Sequence, residues 1–405
     1  MEHHHLTLTH QPYLYSEGRW TNESVHRFSK LKRFPTEEPI AVDKNTLLFV
    51  MTKHFTSYIE FTDAKLYSFF ALWTLGTYCF PLFNTYPYVH LIGLMESGKS
   101  KLLSLCCCLS FNGFHSADIT PACLFRLIEG ARGSLFIDEA ETLASRRSSE
   151  AVRSILLSGY RKGGNAFRAD RDSDGNFVPR AYDVYGPKMM ANIEGLEEVL
   201  ASRCITVTMQ RGVTKEIVNS EISVDNPAWQ QLRDNIYPFI MVNWREIRQV
   251  YNELQNEADI SGREWELWRP ILALAQFFGD GVFAEMKALA MEKVAERSKN
   301  SVTEEQVLME TLLSLVTDDD FYKLKEIRDA MASRLDSGGW LDPRRVARLL
   351  RTLGFTETRR MAQGTEFKFE VEKVKDAARR LGVSVDSVDS EDAGEKEVLK
   401  ERRVL

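Results

Sequence analysis

No C-x-x-C pair occurs in the 405 residues, although there are six cysteines: Cys79, Cys106, Cys107, Cys108, Cys123 and Cys204. That absence removes the usual zinc frameworks and any spaced disulfide ladder, so reduced, mostly buried thiols in a cytosolic protein are the natural reading. A long uninterrupted apolar run is also missing. The best candidate, 66–83, is broken by Ser68, Thr74, Thr77 and Pro81 and leads straight into a strand-like segment, so it reads as a buried helix and not a membrane span. The first ten residues are polar and His-rich, unlike a signal peptide, and His3, His4 and His5 read as a chance terminal cluster, not a metal site. No internal repeat is visible. The net charge of −6 excludes a wholesale polycation but leaves room for a local basic surface. With 44% hydrophobic and 27% charged residues, the chain has the composition of a globular protein with two or three domains.

What is present begins at Gly93-Leu94-Met95-Glu96-Ser97-Gly98-Lys99-Ser100, a full G-x-x-x-x-G-K-[ST] loop. An apolar, strand-like run (88–92) precedes it and an apolar, helix-like run (101–109) follows. The chemistry needs this pattern. Glycines let the backbone curl so that its N–H groups face phosphates, the lysine supplies a point charge to the β/γ oxygens, and the serine hydroxyl reaches Mg²⁺. The nucleotide-binding set is Gly93, Glu96, Ser97, Gly98, Lys99, Ser100 and Lys101, with ATP and Mg²⁺ as the expected ligands.

Downstream, the apolar stretch 134–137 ends in Asp138-Glu139, as a buried parallel strand would. Asp138 is expected beside Ser100 at Mg²⁺, and Glu139 is expected to polarise the attacking water. Both can reach the site because the chain is already turning at the strand's end. A water-activating carboxylate favours hydrolysis over phosphoryl transfer to a metabolite. Asn192 follows the apolar strand 188–191, where it either orients the γ-phosphate or is a plain turn residue. Arg203, in Leu200-Ala201-Ser202-Arg203, is either a surface cation or a donor to a neighbouring subunit's nucleotide.

Strands alternating with helices through 46–211 predict an open, mostly parallel α/β sheet. Within it, Asp174-Gly175 marks a hairpin turn in a basic and acidic excursion. Residues 1–45 read as an extended arm. After Arg211 the pattern becomes helical (227–255, 264–278 and 283–298), giving a second unit at 212–300. A third unit, 301–383, shows three helices and a hairpin, a winged-helix pattern. Asp342 caps its last helix, with Pro343 at the first helical position and Gly354 at the end. The charged stretch 384–405 reads as a frayed tail or partner arm.

The order phosphate loop, Asp-Glu, Asn, Ser-Arg, then helices, resembles an AAA+ ATPase. More narrowly, 86–380 resembles the ATPase module of plasmid, phage and integrated-element primase–helicases, and more distantly MCM-type helicases. The carriers are Ala122-Cys123-Leu124-Phe125-Arg126-Leu127-Ile128-Glu129, Phe136-Ile137-Asp138-Glu139-Ala140, Tyr185-Gly186-Pro187-Lys188 and Trp268-Arg269-Pro270. The resemblance implies a P-loop sheet with a helical lid and a C-terminal winged helix. It implies Asn192 as sensor 1, Arg203 as the finger acting in trans, and either Arg263 or Arg269 as the lid arginine. It also implies a homo-oligomer, expected as a hexameric ring, in the cytoplasm of a prokaryote. A separate primase or initiator is a candidate partner, and no membrane is expected.

Two basic surfaces remain. Arg168, Arg171 and Arg180 surround the hairpin turn, which the resemblance would point into a pore; Asp170, Asp172 and Asp174 offset them, and a solvated loop is the bland alternative. Arg344, Arg345, Arg348 and Arg351 cluster on the last helix of the third unit, with Arg344, Arg348 and Arg351 on one face. Such a face fits a DNA groove, or is a solvated face of a protein-docking domain. Three functions compete: a DNA motor, an ATP-gated assembly switch, and a small-molecule kinase. The Asp-Glu pair and the third unit weigh against the kinase.

Overall fold

The computed structural model describes residues 43–116, 120–140, 150–171, 173–193, 195–256, 260, 262–300, 304–335, 341–361 and 364–383. Residues 1–42 of the expected arm and the charged tail lie outside them, and the arm's last residues, Lys44 and Asn45, are helical. Two compact units divide between Ala295 and Glu296.

The first unit is built on the apolar run Tyr88–Ile92 (β1). Its β-branched and aromatic residues are buried on both faces, as a central parallel strand requires. Around it lie Phe114–Ser116 (β2), Leu135–Ile137 (β3), Lys188–Asn192 (β6) and Cys204–Thr208 (β7), in the order β2-β3-β6-β1-β7. Every described pairing in this five-stranded sheet is parallel. The carboxyl ends therefore share one edge, where α/β sheets hold ligands. Between β3 and β6, Asn165–Arg171 (β4) and Phe177–Asp183 (β5) form a separate antiparallel hairpin. Gly175 at its turn takes φ 83°, which the tight reversal requires.

Helices Lys44–Tyr58 (α1), Lys65–Gly76 (α2), Lys99–Leu109 (α3), Pro121–Ala131 (α4) and Glu150–Ser158 (α5) surround or precede the strands. The run 66–83 resolves into α2 and a short 3₁₀ turn, with Phe69, Phe70, Leu72, Trp73 and Leu75 buried. Among the described residues no helix is long and apolar enough to cross a membrane. Short helices Glu198–Ala201 (α6) and Lys215–Val218 (α7) flank β7. Three long helices follow: Pro227–Glu253 (α8), Gly262–Phe278 (α9) and Asp280–Asn300 (α10). Their apolar faces join the same core as the sheet, through residues such as Trp244, Trp268 and Leu289. Four of the six cysteines are buried, and Cys123 is exposed.

Lys188 opens β6 with its side chain fully buried. Its ammonium donates to the carbonyls of Gly159 (3.3 Å), Val184 (3.0 Å) and Gly186 (3.1 Å), and sits 4.8 Å from the centre of the Tyr88 ring. Gly159 lies before the β4–β5 hairpin and Val184 just after it, so one cation ties both feet of the hairpin to the sheet. Burial pulls the lysine's pKa down from 10.5 to about 7, against a smaller opposing pull from Asp183. Three carbonyl acceptors favour the three-donor ammonium form, so Lys188→Met leaves them unpaired and is expected to destabilise by about 2–3 kcal/mol. The unfolded lysine binds its proton more tightly than the folded one between about pH 7 and 10.5. Wild-type stability therefore gains, relative to the variant, by up to about 1.4 kcal/mol per pH unit across that window. Urea unfolding at pH 7 and pH 9 measures both effects.

The second unit has its own core, which includes Leu308, Leu312, Ile327, Val346, Leu350 and Phe367. It runs Glu304–Leu315 (α11), Asp320–Lys323 (β8), Leu324–Arg334 (α12), Pro343–Thr352 (α13), Thr358–Met361 (β9), Gly364–Phe369 (β10) and Val371–Arg380 (α14). The strands form an antiparallel sheet ordered β8-β10-β9. At the start of α13 the Asp342 carboxylate accepts from the Arg344 N–H at 2.9 Å.

Candidate active site and basic surfaces

The phosphate loop leaves β1 at Ile92 and enters α3 through Gly98, whose φ of 86° is a left-handed turn. Glu96 is also left-handed, at φ 62°, so the loop curls back over itself. Lys99 Nζ donates to the carbonyls of Gly93 (2.6 Å) and Leu94 (2.8 Å) and to Ser97 Oγ (3.3 Å). The ammonium thus sits over the loop's own oxygens, inside the turn where phosphates would be cradled. Ser97 is buried, whereas Ser100, at the second position of α3, is exposed.

Lys101 is turned elsewhere. Its Nζ donates to Ile217 O (2.5 Å) and Ser220 Oγ (2.8 Å), and partial burial lowers its pKa. Two positions into the helix, its side chain is rotated off the phosphate face and fastens the α7 segment instead.

One strand, β6, lies between β1 and β3, and it carries Asn192 at its carboxyl end in register with Ile92. Asn192 is buried; its Oδ1 faces His90 Nε2 at 2.8 Å and accepts from Gly195 N at 3.1 Å, and its Nδ2 donates to Gly195 O at 2.6 Å. On the far side of β6, the Ala140 N–H donates to Ala191 O at 2.9 Å, fixing Asp138-Glu139 beside Asn192. Asp138 Oδ1 accepts from the Glu139 N–H at 3.0 Å. Glu139 takes φ 52°, a costly conformation for a non-glycine residue, and its side chain is exposed. The turn expected at this edge is therefore a left-handed one. Gly93, Asn192 and Asp138-Glu139 thus leave three adjacent parallel strands at one edge.

Arg203 lies at the opposite edge. It precedes β7, whose Cys204 pairs with Tyr88 at the start of β1. The five residues of β1, about 13 Å from first to last, separate it from its own phosphate loop. Its Nε donates to Leu157 O at 2.9 Å, and Nη1 is held by Val199 O and Ser202 Oγ. Burial, then the nearby Arg263 cation, lowers its pKa. Nη2 has no partner among the described residues.

Arg263 and Arg269, the two candidates for the lid arginine, also lie at this edge. Arg263 Nη1 donates to Ser202 Oγ at 2.7 Å. Arg269 Nη2 donates to Tyr251 O at 2.8 Å. Helix α9 turns both toward the amino ends of the strands, so neither reaches the loop after Ile92.

Two residues near the carboxyl ends of the strands escaped the sequence reading. His90 is a buried polar residue in the apolar strand β1, and that isolation was its signal. Arg211, just past β7, lies 2.8 Å from Glu96, with both side chains exposed. Its only signal was a cation soon after a core strand.

In the hairpin, Arg168 stands opposite Arg180, a like-charge pair that weakens the ladder. Phe167 and Phe177 are 66% and 67% exposed. Arg171 lies over the Phe177 ring at 5.1 Å. Asp170 does not neutralise this surface freely, because Arg126 (3.2 Å) and the Tyr182 hydroxyl hold it. Asp172 falls outside the described residues. On α13, Arg344, Arg345, Arg348 and Arg351 are exposed while Val346, Ala347 and Leu350 are buried. Arg345 pairs with Glu304 at 2.7 Å and Arg351 lies 5.7 Å from the Phe367 ring centre. The Arg344 and Arg348 guanidinium groups have no partner among the described residues.

No protein-family model matches this chain, and no curated protein matches it. It is similar to some solved structures. One, described as an active helicase, SCCmec type IV Cch, is 13% identical at TM-score 0.43, the match covering 78% of this chain and 68% of that one. The apo C-terminal region of NrS-1 is 14% identical at TM-score 0.38, covering 83% and 78%. Cdc6p from Pyrobaculum aerophilum is 10% identical at TM-score 0.21, covering 76% and 93%. At these scores the likeness assigns nothing to this chain.

Proposed function

We propose that the chain is an ATP-hydrolysing, oligomeric AAA+-type motor acting on DNA, a helicase or translocase in replication of a mobile element. One observation carries the catalytic part: the phosphate loop, Asn192 and Asp138-Glu139 leave adjacent strands at a single edge. The mobile-element setting and the hexameric ring rest on the sequence resemblance alone.

In this reading Lys99 leaves the Gly93 and Leu94 carbonyls and takes the β/γ oxygens, which bind it more strongly than neutral acceptors do. The loop N–H groups and the start of α3 hold the remaining charge. The residues present suit Mg²⁺, since Ser100 offers an exposed hydroxyl and Asp138 a carboxylate at the same edge; the ion's chemistry there is neutralisation of phosphate charge. Glu139 orients and deprotonates the attacking water. Asn192, held by His90 and the Gly195 backbone, points its amide at the γ-phosphate. Arg203 Nη2 serves a neighbouring subunit's triphosphate, since its own is on the far side of the sheet.

DNA contacts come from the hairpin, where exposed phenylalanines alternate with arginines as in single-strand binders, and from α13. The order helix, strand, two helices, hairpin in the second unit supports a winged helix with α13 as the groove-reading helix. Arg348→Ala is expected to weaken duplex binding evenly across sequences. It should reduce the slope of log K against log salt by about one, measured by fluorescence anisotropy between low and physiological salt.

The reading is tested by ATPase turnover with and without single-stranded DNA, alongside an unwinding assay. Absence of DNA stimulation together with absence of strand movement would falsify it. The same assays separate the second reading, an ATP-gated assembly switch: its turnover would be slow, and ATP binding alone would suffice for function.

A further inference from the structure

Two ends of the first unit complement each other. At the tip of the phosphate loop Leu94 and Met95 are 78% and 79% exposed, and Glu96 beside them is exposed too. Two adjacent large apolar side chains at the mouth of a charged site are uncovered by anything described in their own unit.

At the opposite edge of the sheet lies a cleft of about 580 Å³, within the range of sites that take a compact ligand or anchor. Its apolar surface is aromatic, with the Arg269 guanidinium 4.4 Å from the centre of the Tyr251 ring and 5.9 Å from that of Trp265. Its rim is cationic. Among the described residues the Lys162 ammonium gives one hydrogen bond, to Pro81 O at 3.1 Å, while Arg161 pairs with Glu266 at 2.6 Å. Arg269 Nε and Glu266 Oε2 are buried without hydrogen-bond partners among the described residues. Partial burial, then the nearby Arg248, lowers the pKa of Lys162 against a weaker pull from Asp183. Behind the rim, one ring, Tyr160, has Arg161, Arg203 and Arg263 within 5.7, 5.2 and 5.8 Å of its centre.

We propose that this cleft is a socket for the phosphate-loop tip of a second copy of the chain. Met95 and Leu94 seat against the partly exposed Trp265, and Glu96 exchanges Arg211 for Lys162 and Arg269. The inference rests on the oligomeric reading above and specifies its contact. The tip is the outer side of the turn whose inner side holds phosphates. Seating it here brings the neighbour's triphosphate toward Arg203, which is one tyrosine ring away from the socket. Tip and socket are different surfaces, so the contact is head-to-tail and propagates into a ring or filament. A nucleic-acid strand would also find rings and cations in the cleft, but would leave Leu94 and Met95 bare.

Mass photometry with ATP tests it, using Met95→Glu at the tip and Trp265→Ala and Lys162→Glu at the socket; Lys162 is exposed, so its variant is safe for folding. Each variant should assemble more weakly by a factor on the order of 30, as loss of an interface anchor does. The two socket variants, which lie outside the phosphate loop, should still bind a fluorescent ATP analogue as wild type does. Mixing the tip variant with a socket variant should restore one good contact and give pairs that grow no further. Normal assembly by all the variants overturns the socket while sparing the oligomer. So does a mixture that forms no pairs. If Trp265→Ala assembles normally but loses oligo(dT) binding, the cleft is a nucleic-acid site and the socket is wrong. A wild type that stays monomeric with ATP and DNA removes the oligomeric reading, and the socket with it.

Discussion

Glu139→Gln is expected to lower ATP turnover about 10²–10⁴-fold while nucleotide affinity stays near wild type, because only the water-activating carboxylate is lost. The substitution is nearly isosteric. The left-handed backbone at φ 52° and the Asp138 Oδ1 contact to the residue 139 N–H do not depend on the side-chain charge. Phosphate release from the purified chain, paired with equilibrium binding of a labelled ATP, separates the two quantities. Turnover within a few-fold of wild type would move the base elsewhere at this edge. The same variant divides the two functional readings: a motor should hold DNA and stall, whereas a switch should be locked in its competent state.

Gly93→Ala should lose nucleotide binding by about 10²-fold or more, the scale set by a displacement near 1 Å in a preorganised site. A Cβ at position 93 would lie 2.4 Å from Met209 O and 2.8 Å from Ser97 Oγ. Met209 cannot retreat cheaply, since its N–H donates to Ile92 O at 2.7 Å and so extends the β1–β7 ladder. The loop must therefore move, taking with it the Gly93 carbonyl that holds Lys99. Unchanged affinity in the alanine variant would show that the loop has slack which the geometry denies it. Thermal unfolding of the variant distinguishes a local defect from a global one, because the core strands keep their packing.

The nucleotide edge was legible because its signals are local. A contiguous motif names the loop, and apolar runs ending in Asp-Glu and in Asn name two more strand ends. Direction was harder to read. Lys101 adjoins the motif, yet helical rotation carries it to Ile217 and Ser220. Arg263 and Arg269 sit on a helix whose apolar stripe is plain, but which way their cations point depends on how α9 packs on the sheet, a tertiary fact. His90 depends on a partner 102 residues away. In the second unit β8 was missed because Asp-Phe-Tyr-Lys is half charged; its pairing with β10 is what makes it a strand.

Strand β6 spans five residues, all buried and flanked on both sides by other strands. One terminus bears the amide that faces the nucleotide edge, and the other bears the cation that grips the hairpin's feet. No glycine or loop interrupts it, so it behaves as a stiff pushrod about 13 Å long. In the proposed motor, a recoil at Asn192 when the terminal phosphate departs would reach the hairpin along β6 and the strands laddered to it. Mechanical output would then follow the sheet that carries β6, in step with each turnover.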